Sequence, residues 1–201
     1  MKTLSLYTPP FSETTSYFDI VDIAKEYGLS HVETINAMEI GPADVEAAKR
    51  LREHADKQGI TFTCCSFAVN LSGEDRDWAI QYTKDYVDVV KALGSPYLHH
   101  TIALSTYKPG TCELKEDFEV FYKRGIEAVR EIYDYAAERG IRTIFEDQGA
   151  IFNGCDNFGR FLDEVNRDVG VVADFGNIIF VDDDPVKFIN MCGDKIVNVH
   201  V

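Results

Sequence analysis

The sequence predicts an α/β protein with a parallel sheet, and most simply a (β/α)8 TIM barrel that lacks its last βα unit. One observation is a repeated phrase of amphipathic helix, glycine and short apolar run, as in KEYG-LSHVET and AERG-IRTIFED. Such β–α alternation is typical of a parallel sheet covered by helices. A second is the length, because 201 residues fall short of the roughly 250 of a full barrel. A third is that no GxGxxG follows the first strand, so the usual argument for a doubly wound nucleotide-binding sheet is missing.

Seven strands are expected, most of them short apolar runs of the length of a buried strand. Four of them follow the glycines of the repeated phrase, which fit the left-handed position that closes a helix. These glycines are Gly28, Gly59, Gly94 and Gly140. The predicted strands are residues 2–7, 31–35, 60–65, 96–100, 141–146, 169–174 and 195–201.

Six helices are expected between the strands, marked by apolar residues at three- and four-residue steps. Pro42 fits the first turn of a helix from about Ala43 to Lys57. Shorter helices are predicted around Asn157 to Glu164 and Pro185 to Met191. The two clearest apolar stripes are Trp78, Tyr82, Tyr86, Val89, Val90 and Leu93, and then Phe118, Phe121, Ile126, Val129, Ile132, Tyr133 and Ala136.

The domain prediction is one TIM-barrel domain over residues 1–201, incomplete at its C-terminus. The chain stops inside the predicted seventh strand, at VNVHV, so we expect a longer native protein. No run of 18 apolar residues is present, and the start, MKTLSLYTPPFSE, has no secretory pattern. Five cysteines at irregular spacing are typical of free thiols in a reducing cytosol. These features predict a cytoplasmic protein; its oligomeric state is left open, with a homo-oligomer as one alternative.

The charge of the chain argues against two classes of partner. A formal net charge of −14 repels phosphate backbones and anionic membranes at long range. We therefore expect neither a nucleic acid nor a membrane as partner. The longer strand-to-helix loops, Phe67 to Glu74 and Thr101 to Glu116, belong at the face of a barrel that holds the active site. The second loop is either a lid or a solvated surface loop.

Polar residues stand at the C-terminal ends of several predicted strands, where a buried charge needs a partner. Glu146, Asp174 and His200 close three successive strands, and neighbouring parallel strands lie about 4.8 Å apart. One divalent metal would satisfy all three, and these ligand types suit manganese, zinc, cobalt or iron, and magnesium less well. The alternatives are an ion pair for Glu146, a turn cap for Asp174 and a hydrogen-bonded core histidine for His200.

Two further strand ends carry candidate substrate contacts. His99 and His100 are neighbours in a strand, so their side chains point to opposite faces. His100 is chosen because it is nearer the end of the strand. Glu33 in HVET either contacts substrate or supports the fold through hydrogen bonds.

The ordered set of strand ends resembles a known family. Glu146 after an apolar strand, Asp174 in VVADFGN and His200 in VNVHV are similar to the sugar phosphate isomerase/epimerase group of xylose isomerase-like barrels. The resemblance implies one metal held by Glu, Asp and His at the ends of strands five, six and seven, and by a Glu of strand eight, which would lie beyond Val201. It also implies that Glu146 is the catalytic base for a small sugar or sugar phosphate, with proton transfer through a metal-stabilised enediolate.

The chain departs from this family at two positions. Asn177 stands where several of its epimerases have a histidine, and Phe152 stands where the ketose 3-epimerases have a second glutamate. Asn177 remains a candidate substrate contact. The alternatives to an isomerase or epimerase are an apurinic-site endonuclease-like phosphodiesterase, a dehydratase of cyclic polyols and a non-catalytic sugar-binding barrel.

Overall fold

A computed structural model of the chain describes residues 3–8, 11, 15–35, 40–41, 44–103, 118–149 and 152–201. A helix follows each of the first six strands along the chain. The strands are β1 Leu6–Tyr7, β2 His31–Ile35, β3 Thr61–Phe67, β4 Tyr97–His100, β5 Arg142–Phe145, β6 Gly170–Asp174 and β7 Ile196–His200. The helices are α1 Tyr17–Glu26, α2 Val45–Gln58, α3 Arg76–Leu93, α4 Phe118–Ala137, α5 Cys155–Glu164, α6 Phe175–Phe180 and α7 Pro185–Cys192, with a 3₁₀ turn at Gly193–Lys195.

The seven strands form one sheet in the order in which they follow along the chain. Pairing is parallel between β1 and β2, β2 and β3, β5 and β6, and β6 and β7. Sequential parallel strands with helical crossovers are the arrangement of a TIM barrel, so the predicted fold class is confirmed. The described ranges contain no eighth strand.

The chain divides into two compact units. One comprises Met1–Phe67, Tyr82–His99 and Ala136–Arg142, and the other comprises Ala68–Gln81, His100–Tyr135 and Thr143–Val201. The prediction of a single domain over residues 1–201 therefore stays a prediction. No helix in the described ranges combines the length and the apolar character needed to cross a membrane.

The first unit is held by aliphatic packing between its helices and strands. Val21 of α1, Ala48 and Leu51 of α2, and Phe62 of β3 are fully buried. Arg52 extends from α2 and donates from Nη1 to the carbonyl oxygen of Leu93, 3.0 Å away. Because Leu93 is the last residue of α3, its carbonyl oxygen has no donor within the helix, and Arg52 supplies one.

The second unit has an aromatic core behind the end of β5. Phe161 of α5 lies edge-on to Phe145 of β5 and to Phe152, at ring-centroid distances of 5.2 and 5.6 Å. Phe158 stacks on Phe188 of α7 at 5.5 Å. Edge-on and offset arrangements are the favourable geometries for aromatic pairs. The cluster therefore fixes the strand end from which Glu146 follows.

The glycines of the repeated phrase close helices as predicted. Gly28, Gly59, Gly94 and Gly140 have φ angles of 72°, 73°, 73° and 76°. At Gly59 the left-handed residue directly follows α2, and its amide bonds back to the carbonyl oxygens of Ala55 and Asp56. This position strongly favours glycine, because a Cβ atom would strain a backbone with positive φ.

Several element predictions were wrong in detail. The first strand is Leu6–Tyr7 rather than residues 2–7, since these two residues are the ones that pair with β2. Helix α2 begins at Val45, where Asp44 caps it, rather than at Ala43. Trp78 is 62% exposed and lies beside the buried stripe of α3, which runs through Ala79, Thr83, Tyr86 and Val90. Pro42 and most of the predicted lid lie outside the described residues.

The count of six helices was also wrong, because the described residues contain seven α-helices. The residues after Asp174, which the capping alternative places in a turn, form the short helix α6. Asp174 accepts a hydrogen bond from the backbone amide of Asn177, which is the bond that starts a helix. Gly176 in the first turn lowers the helix propensity of this segment, so propensity alone does not predict the helix.

Replacing Gly125 by alanine is expected to destabilise the protein by about 1–3 kcal/mol. A Cβ atom there would lie 2.7 Å from Ser72 Oγ, 2.8 Å from Ile102 Cγ2 and 3.1 Å from the Phe152 ring. Urea denaturation would measure the loss. Gly159→Ala is the matched control, because its Cβ would meet the sulfur of Met191 at 2.9 Å, a flexible neighbour that can move. That variant should be neutral or gain up to about 1 kcal/mol from helix propensity; equal losses in both variants would contradict the packing argument.

Candidate metal centre

Three consecutive strands carry the predicted ligands to one edge of the sheet. Glu146 directly follows β5, Asp174 ends β6 and His200 ends β7. Asp174 and His200 are register partners in the β6–β7 pair. Because parallel strands present their C-terminal ends at the same edge, the sequence order of the three residues becomes a spatial cluster. All three lie within the second unit.

The side chains of these residues converge. His200 Nδ1 lies 3.4 Å from Glu146 Oε2 and 3.7 Å from Asp174 Oδ2. One ligand atom from each residue lies within 4.8 Å of the others. Ligands about 2.0–2.2 Å from one ion are separated by roughly 3.0–3.6 Å from each other, so two of the distances already approach those of a shared cation. The donor set of two carboxylates and one imidazole therefore fits a divalent metal.

The side chains of this cluster are largely shielded from water, which strengthens the repulsion between its two carboxylates. The side chains of Glu146 and His200 are 7% and 8% exposed, and that of Asp174 is 24% exposed. Two carboxylates held close together away from water repel each other and require a positive partner. A divalent cation or a protonated His200 would meet this requirement.

The two carboxylate oxygens of Asp174 have different partners. Its Oδ1 accepts a 3.0 Å bond from the amide of Asn177 and caps α6, while Oδ2 faces His200. Burial raises the pKa of Asp174, but the nearby imidazole of His200 and the hydrogen bond from the Asn177 amide outweigh it and hold the pKa below its usual value. Asp174 therefore caps a helix, as in the alternative interpretation, and at the same time faces His200 as the metal hypothesis requires.

Asp147 is an ionisable group beside the centre that sequence reasoning missed. It is fully buried, and within the described residues neither of its carboxylate oxygens accepts a hydrogen bond from another side chain or amide. Burial, followed by the nearby charges of Glu146, Asp174 and Asp183, raises its pKa to about 8. The signal was the pair of acidic residues in TIFED, of which only the first was considered.

His100 lies in an apolar setting. Its ring is 1% exposed and meets the Phe145 ring edge-on at 4.7 Å. Its Nδ1 lies 3.0 Å from the carbonyl oxygen of Thr101. Because Phe145 also contacts Phe161 of α5, this ring belongs to the aromatic core of the second unit.

Glu33 and His99 are brought together in the first unit through Ser66, a residue that sequence reasoning did not select. Ser66 Oγ lies 3.1 Å from Glu33 Oε1 and 3.1 Å from His99 Nδ1. Ser66 therefore gives Glu33 a buried hydrogen bond. Asn177 contributes its backbone amide to Asp174, and Phe152 is buried in the aromatic core.

The fold and the three converging ligands define the class: a parallel βα barrel with a candidate metal centre at the C-terminal strand ends. The xylose isomerase-like TIM barrel family matches residues 21–201, and the chain belongs to this family. The predicted resemblance is confirmed. None of the curated proteins compared with the chain matches it.

Solved structures with the same fold include several sugar epimerases. D-psicose 3-epimerase from Clostridium cellulolyticum H10, solved with D-tagatose, has a TM-score of 0.81 at 20% identity, over 100% of this chain and 72% of its own. The E. coli 3-keto-D-glucoside 4-epimerase has a TM-score of 0.80 at 14% identity, over 100% and 78% of the two chains. A probable 3-DHS dehydratase from Bacillus anthracis has a TM-score of 0.75 at 17% identity, over 99% and 72%. At these identities the likeness is one of fold.

Proposed function

We propose that this protein is a metal-dependent epimerase or isomerase of a small sugar or sugar phosphate. The observation that carries the proposal is the convergence of Glu146, Asp174 and His200 within 4.8 Å of one another. Family membership over residues 21–201 and the sugar epimerases among the structures of the same fold support the choice of substrate class.

The three converging residues would hold one divalent ion. When bound, that ion supplies Lewis acidity, which polarises a substrate carbonyl and makes the neighbouring C–H more acidic. Asp174 would keep its charge for this task, since His200 and the Asn177 amide hold its pKa below the usual value against the effect of burial. The imidazole of His200 favours manganese, zinc, cobalt or iron over magnesium.

Glu146 would move the proton. Its carboxylate follows β5 at the edge where sugar carbons would lie, and it takes the proton from the carbon beside the carbonyl as a general base. Return of the proton to the same carbon from the opposite face gives an epimer, and return to the neighbouring carbon gives the isomer. The first outcome requires a second acid on the other face of the sugar.

Glu33 stays a predicted substrate contact, since a carboxylate can accept hydrogen bonds from sugar hydroxyls. His100 and Asn177 remain predictions as substrate contacts. The setting of His100 against Phe145, at 4.7 Å, gives it less support than Glu33.

A dehydratase is a second candidate, favoured by the dehydratase among the structures of the same fold. Both reactions begin with removal of a proton beside a carbonyl. They differ in the fate of the next C–O bond, which breaks with loss of water only in the dehydratase. Mass spectrometry separates them, because an epimer or isomer keeps the mass of the substrate and a dehydration product is lighter by one water.

Removing the divalent metal is expected to abolish activity, and adding Mn²⁺ back is expected to restore it. The full-length protein would be treated with EDTA, dialysed, and assayed with Mn²⁺ on a panel of ketoses and their phosphates. Isothermal titration of Mn²⁺ into the dialysed protein should give one site per chain. Inactivity on every sugar together with no metal binding would reject the proposal, and cleavage of an abasic DNA duplex would favour the phosphodiesterase alternative instead.

A further inference from the structure

A buried chain of polar side chains joins β2, β3 and β4, and the proposed function makes no use of its middle member. Glu33, Ser66 and His99 are 3%, 2% and 5% exposed. Ser66 Oγ is 3.1 Å from both Glu33 Oε1 and His99 Nδ1. Cys64, two residues earlier and so on the same face of β3, places its sulfur 3.9 Å from the same hydroxyl.

The single hydroxyl proton of Ser66 determines the direction of these bonds. A carboxylate only accepts hydrogen bonds, so the hydroxyl donates to Glu33 Oε1. Two oxygens at 3.1 Å with no proton between them would repel, and burial strengthens that repulsion. With its proton directed at Glu33, the hydroxyl has lone pairs left for His99. These lone pairs can accept a hydrogen bond from His99 Nδ1, 3.1 Å away, when that nitrogen carries a proton.

We propose that Ser66 is a positioning residue that links His99 to Glu33 and holds His99 as the tautomer protonated on Nδ1. The tautomer of a neutral histidine is set by the hydrogen bond that one ring nitrogen makes. In this tautomer Nε2 is the proton-accepting nitrogen of the ring. The same two bonds fix the orientation of the His99 ring and of the Glu33 carboxylate.

This chain of hydrogen bonds, the Glu33–Ser66–His99 relay, matters for recognition of a polyhydroxylated substrate. A site with fixed donors and acceptors rejects ligands that leave its buried polar groups unpaired. Glu33 can offer a sugar hydroxyl a well-placed acceptor only if its own rotamer is held, and Ser66 supplies that restraint. This consequence for sugar binding rests on the proposed function, whereas the proposed tautomer of His99 rests on the two Ser66 contacts and an ionised Glu33.

The test is NMR of the full-length protein with ¹⁵N-labelled histidine rings. The His99 signals would be assigned from single-histidine variants, and the two-bond couplings report which ring nitrogen carries the proton. We expect His99 protonated on Nδ1 in the wild type and shifted toward Nε2–H in Ser66→Ala. Ser66→Thr retains the hydroxyl and should retain the tautomer. Cys65→Ala is the matched control, because it removes one buried atom from the neighbouring residue on the opposite face of β3.

The outcomes separate the relay from the sugar chemistry. A wild-type His99 protonated on Nε2 alone overturns the relay, as does an unchanged tautomer in a folded Ser66→Ala variant. If Ser66→Ala does not fold, the wild-type spectrum still decides. In kinetics, Ser66→Ala should raise KM roughly tenfold, the loss of one hydrogen bond to a charged group, with a smaller change in kcat. The expected tautomer in a protein that turns over no sugar would retain the relay and reject the proposed function.

Discussion

Replacing Glu146 by glutamine is expected to lower kcat of the full-length protein by about 10²- to 10⁴-fold, the usual effect of removing a general base. Glutamine keeps the shape of the side chain, but its amide cannot take up a substrate proton. It also removes the negative charge that lies 3.4 Å from His200 Nδ1. Steady-state kinetics at saturating Mn²⁺, on the sugar that the wild type turns over, would measure the loss. Calorimetric titration of Mn²⁺ in parallel would separate loss of metal from loss of the base.

Glu127→Gln is the matched control for this experiment. It makes the same change of atoms on α4, where the side chain is 64% exposed and lies 3.6 Å from Arg76. Its kinetics should equal those of the wild type. A Glu146→Gln variant that binds Mn²⁺ normally and loses less than about tenfold in kcat would remove Glu146 from the role of base.

Replacing Asp147 by asparagine is expected to stabilise the metal-free protein, and increasingly so as pH rises. The pKa of Asp147 is raised from 3.8 to about 8 by burial and by its acidic neighbours. Between these values the folded chain holds a proton that the unfolded chain has released, so wild-type stability falls as pH rises from about 4 to about 8. One pKa unit corresponds to 1.36 kcal/mol, and the accumulated loss is about 5 kcal/mol. Asparagine does not titrate, so the Asp147→Asn variant does not lose this stability as pH rises.

Urea denaturation at several pH values between 5 and 8 would measure this gain. The protein would be treated with EDTA, because a bound cation lowers the pKa of a neighbouring carboxyl. Asp183→Asn is the contrasting variant. The Asp183 carboxylate accepts bonds from the amides of Cys155 and Asp184, at 2.7 and 3.2 Å. These bonds outweigh burial and keep its pKa below 3.8.

The contribution of Asp183 is therefore present above its unfolded pKa and constant from pH 5 to 8. Asp183→Asn should lower stability throughout this range, with far less pH dependence than the gain from Asp147→Asn. Parallel stability curves for Asp147→Asn and the wild type would show that the Asp147 carboxyl titrates normally.

Elements that bury a repeated apolar face were predictable from sequence, whereas those set by a single polar contact were not. β2 at His31–Ile35 has the predicted bounds, because it follows the helix-closing Gly28 as one unit of the repeated phrase. α6 was missed, since it depends on one capping bond from Asp174 to Asn177. The short β1 follows from its two-residue pairing with β2, a property of the partner strand rather than of residues 2–7.

The same distinction applies to the candidate site. Strand order was enough to predict that Glu146, Asp174 and His200 would meet, because each stands at the end of a consecutive parallel strand. Ser66 lies inside β3 and bonds to residues 33 positions away in both directions; no local pattern reports such a partner. The choice of His100 over His99 used distance to the strand end, whereas the hydrogen bonds of each ring depend on the face of β4 from which it projects.

One oxygen of Asp174 caps α6 and the other faces His200. This has a consequence for relatives of the chain that have no catalytic activity. Under the proposed function, a homologue that no longer binds metal would still need an acceptor for the Asn177 amide, and serine, threonine or asparagine can supply one in place of aspartate. Drift should therefore be visible at positions 146 and 200 before it is visible at 174. An aspartate retained there, without its two companions, would be a sign of ancestry and not of activity.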